Sequence, residues 1–599
     1  MACADGNIRL YFPKLFCWLA DHMENATIHG IANNRCPTCI IPTDKLGEYS
    51  EIGYPARSHK DYTTAYTRSD TASLSDHGVK NIKNALWSIP NLNPLELVRA
   101  DILHNVLLGV LKYLMHWIQG FLEYNERINA FDYIWHRLTP YSSFSVPTKA
   151  YRVVSQWSGK EMHNFAKVIL GMFTAALRWN AGQARPNGAQ LQEFNKAIRC
   201  IRSITDFYLM TQYPSHTNQM VSYLQQYLRE FHANKAVFLR FRADKKTKKA
   251  AAEAHKTLLK EQVGMLVAGL TASEKVKFRQ GNNLERRELV DEILMEGAHY
   301  NFPKIHLISH YAEQIPRFGA LGQYSTDISE AMHKGFKEAY RWSNKVDSTS
   351  QIITTYTRDH TFAMRDLTIN AWSPDKEKGD RTWHVGKSIE AGKVYLKLDS
   401  KIDLGTVSTI ADLEHVTGLG NLRLATRVFL TREHKGTSSD ILSLFDLEIR
   451  AYRFFQIPVP NFSGEGFVLH HARCTGLGEF RGQKRSDWIW VRRHATSDRL
   501  QQGSLNGRRV AKLNALFKLK SRDGIVYRLA HVTLLQCIGG TVLQGVEGML
   551  HVGFPATTEG MVVSIAKIEG MAHLIPLEPG ESWLVNNRID LETWNTIYD

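Results

Sequence analysis

The chain has 599 residues, 43% hydrophobic and 22% charged, which excludes a disordered, collagen-like or coiled-coil protein and leaves room for about three to five domains. Lysine and arginine total 74 against 59 acidic residues, a net charge of +15. That surplus suits a polyanionic partner, nucleic acid first, and equally a basic surface with no specific ligand. Seven scattered cysteines exclude a disulfide scaffold and suit a reducing compartment.

In chain order, residues 8–20 are apolar and aromatic, interrupted by Pro13. Ala26–Ile31 is rich in β-branched residues and predicts a short strand. Cys36-Pro37-Thr38-Cys39 has the spacing of a metal knuckle, although one such pair is nearly as well read as two unpaired thiols. Residues 44–96 are polar and turn-rich and predict loops and short helices. From Leu97 the apolar period becomes helical: Leu97, Ala100, Leu103, His104, Leu107, Leu108 and Leu111 recur at three- and four-residue intervals. Trp157–Leu177, Phe194–Met210 and Met220–Phe238 share that character. The apolar run Val106–Leu111 falls short of the ~18 residues a membrane span needs, so no membrane contact is expected, and the first residues have no secretory-signal pattern.

The basic tract of Lys245, Lys246, Lys248 and Lys249 is read as a solvated helix face or as a DNA contact with weak nuclear-import character. Helical spacing returns over Ser329–Arg341 and from Asp347 to Leu367. Residues 371–385 are polar and turn-forming, as a linker is. Beyond them strand signals dominate at Trp488–Val491, Ala515–Leu519 and Val526–Ala530, with Asp523-Gly524 as a hairpin turn.

The motifs resemble, in order, those of CACTA-type transposases and their fungal relatives, the Plavaka transposases. Pro13–Cys39 is similar to the segment around the second catalytic Asp, which falls on Asp21. Leu97–Gly109 resembles the family's Asp-x-x-His motif, on Asp101 and His104. Ser155–Glu161 resembles a Trp-Ser-Gly-x-Glu helix start. Phe302–Tyr311 and Tyr324–His333 resemble the segment of the third acid, which falls on Glu330.

The resemblance implies an α+β protein. A partial RNase H-like core (residues 1–45 and 301–370) is interrupted by a large all-α insertion (46–300) and followed, after the linker, by a mostly β module (386–599). It implies DDE-type, metal-dependent cleavage and transfer of DNA strands in the nucleus, with Mg²⁺ or Mn²⁺ held by Asp21 and Glu330. Asp101 and His104 are auxiliary. Beside the resemblance, Trp157 is read either as a ring that stacks on an unpaired base or as a core residue at a helix start, and Cys36 and Cys39 either as Zn²⁺ ligands with a distant histidine such as His59 or His104 or as unpaired thiols. The expected partners are transposon ends, target DNA and further copies of the chain. In the family the first acid lies upstream of the segment that begins here. The expectation is therefore a transposase-derived protein inactive in strand cleavage, the alternative being a domesticated, non-catalytic DNA- or chromatin-binding protein.

Overall fold

The computed structural model describes residues 10, 15–99, 101–145, 151, 154, 157–179, 186–242, 253, 299–372, 408–433, 449–460, 467–474, 485–492, 507–520, 524–538, 546–556, 559–578 and 582–598. It is an α+β protein that divides into two units, Met1–Ile118 with Asp206–Trp383, and Gln119–Thr205 with His384–Asp599. The lysine tract at 245–249, most of the 371–385 linker and Asp523 lie outside the described residues.

The first unit is helical, with strand pairing limited to isolated bridges among its described residues. Ala26–Ile31 is not a strand. His22–Ile28 is a helix because Asp21 caps it, its carboxylate accepting from the Glu24 N–H at 2.8 Å. The β-branched Thr27 is tolerated near the helix end, where its hydroxyl donates to the Met23 carbonyl. Only Ile31 pairs, in a single bridge to Val79. Trp18 and Val98 form a parallel bridge, with Trp18 N–H on the Leu97 carbonyl at 3.1 Å. Each of these two extended segments runs into an aspartate, Asp21 or Asp101, that caps the helix after it.

The helix after Asp101, Ile102–Leu111, has π-helical hydrogen bonding. Such wide turns are rare and often mark functional segments. Gly109 makes this one possible. A Cβ there would lie 2.6 Å from the His104 carbonyl oxygen and 2.9 Å from Lys304 Cδ. The helices Pro303–Leu307, Tyr311–Phe318, Asp327–Arg341 and Ser348–Trp372 complete the part of the unit that holds the site.

The second unit combines helices and sheets. The helix Gly159–Arg178 starts in a Ser158/Glu161 capping box and packs closely enough that a Cβ on Gly171 would meet Ile575 at 2.3 Å. Twelve strands follow: β1 (Ile449–Tyr452), β2 (Phe454–Pro460), β3 (Phe467–Arg473), β4 (Trp488–Arg492), β5 (Arg508–Lys520), β6 (Val526–Leu534), β7 (Gln536–Cys537), β8 (Leu550–Gly553), β9 (Gly560–Ser564), β10 (Ile568–Ala572), β11 (Leu574–Glu578) and β12 (Ser582–Val585). One antiparallel sheet runs β10-β4-β5-β6-β9, with β1 on β5. A second runs β11-β12-β8-β7, and β2 and β3 form a separate hairpin. Trp488, Trp490 and Val510 of the first sheet pack on Leu550, Val552 and Trp583 of the second. Phe517, Leu519 and Leu529 pack on Leu413, Leu422 and Phe429 of the helices Ile410–Thr417 and Leu422–Glu433. No described helix is long and apolar enough to cross a membrane.

Candidate functional site

Two side-chain clusters in the first unit carry chemistry. The first is built on Asp101, which is 2% exposed. Its carboxylate accepts from the N–H groups of Leu103 (3.2 Å) and His104 (2.9 Å), from Thr326 N–H (3.0 Å) and from the Thr326 hydroxyl (2.9 Å). Its Oδ2 also lies 2.8 Å from His104 Nδ1. Its backbone carbonyl takes the Tyr311 hydroxyl at 2.7 Å. With every lone pair engaged, Asp101 is a fixture rather than an open ligand.

The fixture holds His104. Nδ1 faces Asp101 and Thr326, and Nε2 lies 3.2 Å from Glu330 Oε1. Burial pushes the His104 pKa down, but the Asp101 hydrogen bond and charge, with the charges of Glu330 and Asp21, outweigh it and hold the imidazole above its ordinary value. Glu330 is half exposed, so the cluster opens to solvent on that side. Lys304 faces the charges of Asp21 and Asp101, and burial lowers its pKa despite them. Residues from near 21, 101, 304 and 330 are thus gathered at one place. Asp21 reaches it with one carboxylate oxygen already committed to capping its helix.

The second cluster is Cys36, Cys39, His306 and His310, whose four ligand atoms all lie within 4.8 Å of one another. Among the described residues it is the only set of three or more His, Cys, Asp or Glu side chains so arranged. Cys36 Sγ is 3.4 Å from His310 Nε2, Cys39 Sγ is 3.1 Å from His306 Nε2, and the two Nε2 atoms are 3.2 Å apart. His306 and His310 stand four residues apart, so one face of the chain carries both.

The knuckle is held from behind. The Arg57 guanidinium, 6% exposed, donates to the Cys36 carbonyl at 2.6 Å, to Tyr62 Oη and to the His77 carbonyl, each at 2.8 Å. Thr38 N–H points at Cys36 Sγ at 3.3 Å. Burial pushes the Cys36 thiol up, but Cys39 and the two imidazoles hold it well below the usual range. Burial lowers His310, and the Cys36 charge and hydrogen bond, with those of Glu313, bring it up to about 9. This cluster can hold a metal ion.

The histidines expected beside the cysteines are elsewhere. His59 packs against the Trp87 ring with centroids 6.0 Å apart, and His104 belongs to the Asp101 cluster. Sequence reasoning missed His306 and His310, although the pair His-x-x-x-His was visible in the Phe302–Tyr311 segment. Trp157, expected to stack on a base, is 8% exposed and packs against Trp135, Tyr151 and Phe165 in the second unit. It is a core residue, because those three rings surround the start of the Gly159–Arg178 helix.

Residues 1–118, about one fifth of the chain, match the family model of the Plavaka transposase. The match spans Asp21, Cys36, Cys39, Asp101 and His104; His306, His310 and Glu330 lie beyond it. No curated protein and no solved structure matches the chain.

Proposed function

We propose that this transposase-derived protein binds DNA at the surface around Asp21, His104 and Glu330, and that a structural Zn²⁺ on Cys36, Cys39, His306 and His310 ties that surface together. The observation that carries this reading is His104, held between Asp101 and Glu330 in a segment of the chain assigned to a transposase family.

The zinc assignment rests on donor chemistry and size. Zn–N bonds of about 2.0–2.1 Å and Zn–S bonds of about 2.3 Å in a tetrahedron put N and N about 3.3 Å apart, and S and N about 3.6 Å apart. The observed 3.2, 3.1 and 3.4 Å match after a small expansion. Four protein ligands leave no open position, which is the pattern of a structural rather than a catalytic zinc.

The acids do not fit a pair of Mg²⁺ ions as well. Mg²⁺ is usually held by one or two carboxylates at about 2.0–2.1 Å together with waters and substrate phosphates, and a two-cation centre needs carboxylates that serve both ions. Asp101 is saturated, one oxygen of Asp21 caps a helix, and one oxygen of Glu330 faces His104. Asp21 and Glu330 thus keep one free oxygen each, which would hold a single hydrated cation more readily than a pair. The chain acts as a DNA-binding module of transposase origin. The test is a gel assay with the purified chain, relaxed and supercoiled plasmid, and Mg²⁺ or Mn²⁺. Salt-sensitive retardation without nicking is expected. Nicking that Glu330→Gln abolishes would replace this reading with an active strand-cleaving centre.

A further inference from the structure

The helix Asp327–Arg341 carries more than Glu330. At about 100° per residue, Lys334, Lys337 and Arg341 fall about 40°, −20° and 20° from Glu330 around the helix axis, one narrow stripe. Their positions, 4, 7 and 11 residues on, extend that stripe about 17 Å from the acid at 1.5 Å per residue. All three are exposed, and no ion pair of theirs is seen among the described residues. Glu338, on the stripe's flank, makes no ion pair with Lys334.

The opposite side of the helix is where it packs. Ala339 is 5% exposed, the Phe336 and Tyr356 rings lie 4.4 Å apart, and a Cβ on Gly335 would stand 3.1 Å from the Tyr356 ring. The stripe therefore faces away from the Ser348–Trp372 helix. At its far end the helix is capped by Trp342, 82% exposed.

A charged helix face is ordinarily just a solvated face. Two features set this one apart: its cations start one turn after Glu330, at the proposed DNA-binding surface, and it ends on a large exposed aromatic ring. We infer that Lys334, Lys337 and Arg341 bind the phosphates of a DNA strand that leaves Glu330 along this helix, with Trp342 stacking on an unpaired base at the end. The inference rests on the DNA-binding reading above. Cations one helical turn apart suit a polyanion with charges every 3.4 Å along each strand axis, and aromatic rings add sequence-tolerant stacking where bases are unpaired.

The test measures affinity of the full chain by fluorescence anisotropy, between 50 and 200 mM salt, for a duplex and for the same duplex with a single-stranded overhang. Each phosphate contact contributes about 0.9 to the slope of log affinity against log salt. In K334A/K337A/R341A the slope should flatten by about 2.7, so affinity changes about 40-fold less over that range. Removing an equal charge at exposed Lys60, Lys80 and Lys83 should leave the slope in place. Trp342→Ala should lose the preference for the overhang and keep the slope. An unchanged slope in the triple variant, or an equal loss in the Lys60/Lys80/Lys83 control, overturns this inference while the DNA-binding reading stands. A chain that binds no DNA at low salt overturns both. Melting temperature checks the variants, and Lys334→Gln with Lys337→Gln repeats the measurement should the alanines lower it.

Discussion

Removal of one ligand of the proposed zinc has a calculable cost because of where Cys36, Cys39, His306 and His310 lie in the chain. Cys39 and His306 are 267 residues apart (306 − 39). A metal clip closing a loop of that length removes about 5 kcal/mol of loop-closure entropy from the unfolded chain. That is an upper bound, since the contacts among residues 97–118 and 300–330 close much of the same loop. Cys39→Ala or His310→Ala should therefore lower stability by about 2–5 kcal/mol and drop zinc from about one to well below one per chain. The segment that carries His306 and His310 also carries Lys304, and Tyr311, whose hydroxyl holds the Asp101 carbonyl. Loosening it should release His104 as well, and NMR should find the imidazole pKa moved down toward its ordinary value. Elemental analysis gives the zinc, and thermal unfolding with and without chelator gives the stability. Full zinc occupancy and unchanged melting in both variants would refute the clip, as would a natural chain that neither contains zinc nor is stabilised by it.

Other consequences can be checked alongside. Asp101→Ala strips partners from the buried Thr326 N–H and the Leu103 and His104 amides, and should cost about 3–5 kcal/mol in denaturant unfolding. Asp101→Asn, which keeps the shape, should lower the His104 pKa by NMR titration. Because His104 is raised in the folded chain, its contribution to stability is complete below about pH 6.5 and is lost as pH rises through the folded value. Gly109→Ala forces a methyl against the His104 carbonyl and the Lys304 stem and should cost about 1–3 kcal/mol by thermal unfolding. His573, fully enclosed, is pushed by burial down to about 3, its ring nitrogens facing the Thr139 carbonyl and the Asn586 amide. Its contribution is present above about pH 6.5 and lost as pH falls, about 2 kcal/mol by pH 5. His573→Gln should flatten that part of the acid-unfolding curve.

The elements with strong periodicity were legible. The helices Gly159–Arg178, Gly188–Thr211 and Asn218–Asn234 follow from apolar spacing, and β4, β5 and β6 from short apolar runs and a turn containing Gly524, whose φ is +87°. Ala26–Ile31 misled because β-branched residues at a helix end look like a strand when the cap at Asp21 is not weighed. Trp157 misled because an aromatic residue before a helix reads the same whether it faces solvent or three other rings. Of the site, the Asp101–His104 pair was visible as a three-residue spacing, but its hold on Thr326 and its link to Glu330 join segments more than 220 residues apart. No local pattern encodes that. The same distance hid His306 and His310 from Cys36 and Cys39: each half of the centre is a weak motif, and only folding puts them in contact.

The proposed function is DNA binding around His104 without strand cleavage by the described acids. The most direct measurement incubates the purified chain with a nicked-or-intact plasmid substrate and Mg²⁺ or Mn²⁺, at low and moderate salt, beside Asp21→Asn and Glu330→Gln. The account predicts salt-sensitive binding in all three proteins and no strand breaks in any. Metal-dependent breaks made by the natural chain and lost in both variants would contradict it, as would a chain that ignores DNA at low salt.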